Sequence, residues 1–244
     1  MVFFLNFPEE VQIMANVEQV TITSADGQYG GYCADGAADA ANPIGLVVIQ
    51  EIFGVNSHIR DVCDRFASEG FTALAPDLFH RQQPGVELGY EEADIGTGFG
   101  LKQGLDPTGA MTDLAGAIEF LRQRGCRKIG VVGFCMGGLY TYLTAAQLKV
   151  DAAVAYYGGG IGECLDQASQ ISCPIIFHFG ERDQHIPLTV VADVQGAVAK
   201  LDNTAVYIYP ADHGFNCDQR GSYDADSAAV AWQRSVQFLQ QHLV

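Results

Sequence analysis

Basic residues are scarce in this 244-residue chain: 13 Lys and Arg stand against 29 Asp and Glu, a formal net charge of −16, and no stretch gathers the cations into a cluster. That argues against a nucleic-acid partner, which would need a basic patch facing the phosphates; the acidic excess reads as a solvated surface. Charge of either sign is sparse too, at 17% against 48% hydrophobic residues, the composition of a compact globular protein with much buried sheet. No apolar run is long enough to cross a membrane, and the opening MVFFLNFPEEVQIMAN lacks the basic region and apolar core of a signal peptide. The seven cysteines include no C-x-x-C pair and no cysteine/histidine spacing of a zinc site. They imply a reduced, cytoplasmic protein in which six of them are small buried apolar residues. No repeat or low-complexity tract is present.

What is there is an alternation of strands and helices. VEQVTITSADGQYGGYCA (17–34) reads as a β-hairpin turning at Asp26-Gly27, at the edge of a sheet. GLVVIQ (45–50), an amphipathic stretch near 57–69 and FTALAP (71–76) form a strand, helix, strand unit. Further strands are expected at 128–134, 151–157, 174–179 and 204–209, with helices near 110–124, from 136, near 188–200 and near 224–242. Buried strands alternating with helices imply one α/β domain over residues 1–244, a mostly parallel sheet covered on both faces. The long segment 76–110 reads as irregular and as a candidate lid, since it follows a strand end where open α/β sheets place ligand loops.

IGVVGFCMGGLYTYL (129–143) contains the spacing of the G-x-S-x-G nucleophile elbow, with Cys135 at its centre between Gly133 and Gly137. A sharp strand-to-helix turn lifts that central side chain above the sheet. A thiol nucleophile requires a base and a third group to orient the base, in this architecture in the order nucleophile, acid, histidine. IIFHFGERDQHIP (175–187) ends a strand in a polar loop carrying Asp183, with Glu181 as competitor, and VYIYPADHGF (206–215) delivers His213 the same way. Of the other histidines, His178 lies inside an apolar strand and reads as core. The backbone N–H of Met136, at a helix start, and that of Ile52, in the loop after strand 45–50, are the candidate oxyanion donors. Glu51 follows four apolar positions; it either turns to solvent in a loop or contacts the thiol and competes with His213 for its proton.

VVIQEIFGVN, APDLFHRQQPG, VGFCMGG, AYYGGG, GERDQHIP and DHGF occur in that order. With them the chain resembles, over nearly its whole length, the dienelactone hydrolases (carboxymethylenebutenolidases) of the α/β-hydrolase fold. The resemblance implies a cofactor-free, metal-free hydrolase of enol lactones, monomeric, with a triad on Cys135, His213 and Asp183. It implies that Glu51 interacts with the cysteine, and that Arg81 binds the substrate carboxylate beside a site tyrosine, Tyr156. The chain departs from the family where known members carry a second carboxylate-binding arginine four residues after the histidine: that position is Cys217, and Arg220 lies three residues later. A thiolate adduct collapses backward unless the departing oxygen leaves easily, so the expected substrate is a small enol lactone or activated ester, anionic as the resemblance implies. Two other readings remain: a general carboxylesterase or thioesterase of neutral substrates, and a catalytically silent binder of a small metabolite.

Overall fold

The computed structural model describes residues 16–36 and 43–244; the opening segment read above, apart from Asn16, and most of the small-residue loop before the second strand pair lie outside them. Strands β1 (Asn16–Ser24) and β2 (Gly27–Asp35) form the hairpin, its turn made at Gly27 with φ 137°. The chain continues through β3 (Ile44–Ile49), α1 (Ser57–Ser68), β4 (Phe71–Pro76), α2 (Glu92–Gly104), α3 (Pro107–Gln123), β5 (Lys128–Phe134) and α4 (Met136–Gln147). It ends with β6 (Ala152–Tyr156), two short 3-10 turns, β7 (Ile175–Gly180), α5 (Leu188–Val198), β8 (Thr204–Tyr209) and α6 (Ala225–Leu243).

The eight strands form one sheet in the order β1-β2-β4-β3-β5-β6-β7-β8. The hairpin is its antiparallel edge, β2 running against β4, and every pairing from β4 to β8 is parallel. Helices α1 and α6 share one face, where Phe66 packs on Trp232 with ring centroids 4.3 Å apart, while α3, α4 and α5 cover the other. This is the α/β-hydrolase fold. The chain leaves β3 toward β4 on one side and returns to β5 on the other, so the strand order reverses between β3 and β5. The carboxyl ends of those two strands therefore flank the crevice in which open parallel sheets bind ligands.

Segment 76–110 is not wholly irregular: residues 92–104 form α2. Glycines at 96, 98, 100 and 104 hide this helix from a propensity reading, and tertiary contact supplies what propensity withholds. A Cβ on Gly98 would stand 2.6 Å from the carbonyl oxygen of Ile52, so the missing side chain lets α2 lie directly on the loop after β3. Asn56, Asp106 and Asp224 accept backbone N–H groups at the starts of α1, α3 and α6. Helix α4 has no side-chain cap, and its N-cap residue is Cys135. Its first N–H groups are left for another acceptor.

Two glycines make that helix start possible. A Cβ at Gly133 would lie 2.2 Å from the Gly137 carbonyl oxygen, and one at Gly137 would lie 2.3 Å from that of Ile49. Gly137→Ala is expected to force the end of β3 away from α4, lowering stability by about 1–3 kcal/mol, as overpacking does. Gly96→Ala, on the exposed side of α2 with open space around it, is expected to raise stability by roughly 0.5–1 kcal/mol. Urea unfolding midpoints of the two variants check both signs.

Candidate active site

At the end of β5 the backbone of Cys135 takes φ 55° and ψ −113°, a conformation that favours glycine. Such a turn costs on the order of 1–3 kcal/mol and persists only where the surroundings over-determine it. Here the Cys135 N–H donates to the Tyr156 carbonyl at 3.0 Å and its carbonyl accepts from Gly138 at 3.0 Å, while both glycine contacts hold the turn from either side. The side chain stays partly exposed, in contrast to the buried Cys33, Cys63, Cys126, Cys173 and Cys217.

The loops after β7 and β8 meet it. Asp183 is buried; its Oδ1 accepts the backbone N–H groups of His185 and Ile186 at 2.8 and 3.1 Å, and its Oδ2 lies 2.7 Å from His213 Nδ1. The competing carboxylate, Glu181, points to solvent. Burial disfavours a charged His213 ring, but the influence of the neighbouring Cys135 and of the Asp183 carboxylate bonded to its Nδ1 outweighs that and lifts it from 6.5 to about 10. The ring is also flanked by Tyr157 and His185, each with its centroid 5.1 Å away.

Glu51 does not turn to solvent. It is 1% exposed, and its Oε1 accepts a hydrogen bond at 3.1 Å from Arg220, whose side chain is 19% exposed. Burial works against the guanidinium charge, and Glu51 more than restores it, so the Arg220 pKa is raised. Arg220 reaches Glu51 by passing over Gly214, where a Cβ would stand 2.2 Å from its Nη1. An arginine seven residues after the histidine thus enters the site because a glycine follows that histidine.

Cys135, His213 and Arg220 open onto a cavity of about 500 Å³. Ile52, Phe53 and Leu139 give it apolar walls, and α2 closes it with Ile95, Phe99 and Lys102. A larger hollow of about 870 Å³ lies between the β1–β2 turn and helices α3 and α4. Its lining residues include one thiol, Cys164, and no histidine.

Two sequence expectations fail. Arg81 does not line the Cys135 cavity; its guanidinium is bonded to Asp113, a fully buried carboxylate on α3, and to Asp26 at 2.9 Å. A buried carboxylate demands a cation, and Arg81 answers that demand while fastening the hairpin to the core. Tyr156 is fully buried and its hydroxyl pairs with Ser235 at 2.7 Å, in a network with His178. The next residue, Tyr157, faces His213 instead because its φ of 35° turns it to the other side of the sheet edge. Sequence reasoning missed the contribution of α2. The spacing of Ile95, Phe99 and Lys102, one helical face at i, i+4 and i+7, was the available signal. Met136 is the first residue of α4 and Ile52 sits on the cavity wall.

Comparison with known proteins places this arrangement in context. The model of the dienelactone hydrolase family matches residues 31–243. A Synechocystis protein provisionally named carboxymethylenebutenolidase is 39% identical over 237 residues, covering 92% of this chain and 96% of its own length. The carboxymethylenebutenolidase of Pseudomonas putida is 34% identical over 229 residues, covering 91% of this chain and 95% of its own. A crystal structure from Klebsiella pneumoniae, provisionally named dienelactone hydrolase, superposes with a TM-score of 0.85 at 31% identity, covering 93% of this chain and 99% of that one.

The new position of Arg81 is testable. Arg81→Ala is expected to lower stability by on the order of 1–3 kcal/mol, below the cost of stripping a fully buried pair because the arginine is 30% exposed and His80 remains on Asp113. The KM ratio between a carboxylate-bearing ester and its neutral methyl ester is expected to stay as in the wild type. Thermal unfolding and steady-state kinetics on the two esters measure these effects.

Proposed function

Since the chain belongs to the dienelactone hydrolase family, we propose that it opens enol lactones and cleaves activated esters with Cys135 as nucleophile, His213 as acid and base, and Asp183 as the group that orients the histidine. The observation that carries this reading is the strained, partly exposed Cys135 at the uncapped start of α4, beside a histidine bonded to a buried aspartate. An inert core cysteine needs neither the strain nor the base.

His213 takes the thiol proton, and the sulfur attacks the substrate carbonyl. The developing oxyanion accepts hydrogen bonds from the N–H groups of Met136 and Ile52, at the positive end of α4. The adduct collapses to a thioester as the ring oxygen leaves and takes the proton held by His213, which makes the imidazole a base again. An enolate leaves ahead of the thiolate, whereas a simple alkoxide does not, so activated substrates are selected. His213 then removes a proton from water, whose attack on the thioester releases the carboxylate and restores the thiol. Throughout, Asp183 holds the Nδ1–H tautomer and stabilises the imidazolium.

Glu51 and Arg220 set the resting state. Arg220 balances the buried Glu51 charge, and a substrate carboxylate that draws the guanidinium away leaves Glu51 free to turn toward Cys135 and compete for its proton. Lys102 supplies a second cation on the cavity wall. Neutral substrates are the second reading, favoured by the apolar walls and by the absence of Arg81 from the cavity.

Alkylation by iodoacetamide is expected to abolish turnover in step with labelling of Cys135, since five of the other six thiols are buried. Peptide mapping follows the label, and full inactivation with Cys135 unmodified overturns the nucleophile. On an anionic dienelactone and its methyl ester, Arg220→Ala is expected to cost the anion about 1.5–3 kcal/mol more in kcat/KM, the worth of a charged hydrogen bond. Equal losses on both point to neutral substrates.

A further inference from the structure

Around the Glu51–Arg220 pair lies a group of side chains of which the hydrolytic chemistry uses only Glu51. Glu51, His58 on α1 and Cys217 in the loop after β8 each offer a ligand atom within 4.8 Å of the other two. All three are buried, at 1%, 2% and 0% exposure. Glu51 and His58 lie seven residues apart, just after β3 and at the start of α1, and Cys217 joins them from the far end of the chain. Two of their polar atoms, Glu51 Oε2 and His58 Nε2, are buried with no hydrogen-bond partner among the described residues. A buried polar atom left unpaired costs about 1–3 kcal/mol, which makes an unfilled role the question to answer.

We propose that Glu51, His58 and Cys217 form a binding site for a single thiophilic divalent cation of the zinc type, and that occupancy of this site inhibits the enzyme. The donor set is one thiolate, one imidazole and one carboxylate, the mixture that suits zinc and not magnesium or calcium. His58 has Asp218 Oδ1 3.8 Å from its Nδ1, a distance of charge attraction and not of a hydrogen bond, while its Nε2 has no partner among the described residues. Glu51 divides its two oxygens in the same way, Oε1 to Arg220 and Oε2 unpaired. Zinc bonds of roughly 2.0–2.3 Å require the three donors to close in by about 1 Å, within the reach of side-chain rotation.

The charges balance. The Cys217 thiol gives up its proton to solvent, and the resulting thiolate with the Glu51 carboxylate offsets the two positive charges of the ion. Three protein ligands leave a fourth position for water. Inhibition follows from the same geometry. A dication on Oε2 repels the Arg220 guanidinium that shares the carboxylate, and it removes Glu51 from the thiol, so both the substrate cation and the second proton acceptor are disturbed at once. The effect requires no change in the Cys135–His213–Asp183 arrangement.

The test is metal binding itself, with activity as a second readout. Chelator-stripped protein is titrated with CoCl2 and, in parallel calorimetry, with ZnCl2. The expected result is one ion per chain, a thiolate-to-cobalt charge-transfer band in the near ultraviolet, and loss of esterase turnover that saturates with the band and reverses on chelation. Cys217→Ser and His58→Gln are expected to weaken binding at least tenfold and to remove or shift the band, while Cys135→Ser retains it. Wild-type protein that shows no stoichiometric binding or no such band overturns the site, whatever the variants do. A band lost in Cys135→Ser but kept in Cys217→Ser assigns the metal to the nucleophile and equally overturns it. Binding is read without turnover, so failure of the Cys135 mechanism would leave this outcome intact, and the reverse also holds.

Discussion

The structure depends on one close contact, the abutment of the end of β5 and the start of α4 on the carbonyl groups of β3. Gly133 and Gly137 leave no room for a Cβ there, the second against the Ile49 carbonyl. That contact bends the chain through a backbone conformation cysteine would not adopt unaided, and it lifts Cys135 to the crevice where the strand order reverses. Since α4 begins at the bend itself, its N-terminal donors come to bear on the same point as the thiol. Strand ends, helix dipole and nucleophile are therefore one feature.

Around this centre the distribution of cations decides what the cavity recognises. With 13 basic residues against 29 acidic ones, an arginine is drawn first to any buried carboxylate, because leaving such a charge unpaired costs more than a surface contact gains. Arg81 is bound by Asp113 and Asp26, Arg124 by Glu18 and Asp35, and Arg220 by Glu51. Only the last of these pairs stands at the cavity wall. The guanidinium of Arg220 thus stands between the buried Glu51 carboxylate and the cavity, and Glu51 keeps one buried oxygen without a donor among the described residues.

Much of the fold was legible because its strands announce themselves. FTALAP and the stretch 128–134 are buried along most of their length, and unbroken apolar runs bounded by turns read as interior strands. The approach of the loops carrying Cys135, Asp183 and His213 was legible because each of these residues lies just past such a run. Helix α2 was not, since four glycines lower its propensity and its stability comes from lying on the Ile52 loop. Arg81 and Tyr156 were misplaced for a related reason: a motif locates a residue along the chain, while the direction of its side chain is set by neighbours from distant segments, here Asp113 and Ser235.

By itself the sequence determined the order of elements, the elbow and the placing of Cys135, Asp183 and His213 just past strand ends, all properties of spacing and hydrophobic period within short windows. Tertiary structure alone decided which arginine reaches the site, that α2 closes the cavity, and that Glu51, His58 and Cys217 converge behind it. Those outcomes rest on contacts between residues separated by as many as 169 positions, such as Glu51 and Arg220. Such pairings arise from competition among buried charges for a limited number of partners, and that competition is settled only when the whole chain is packed.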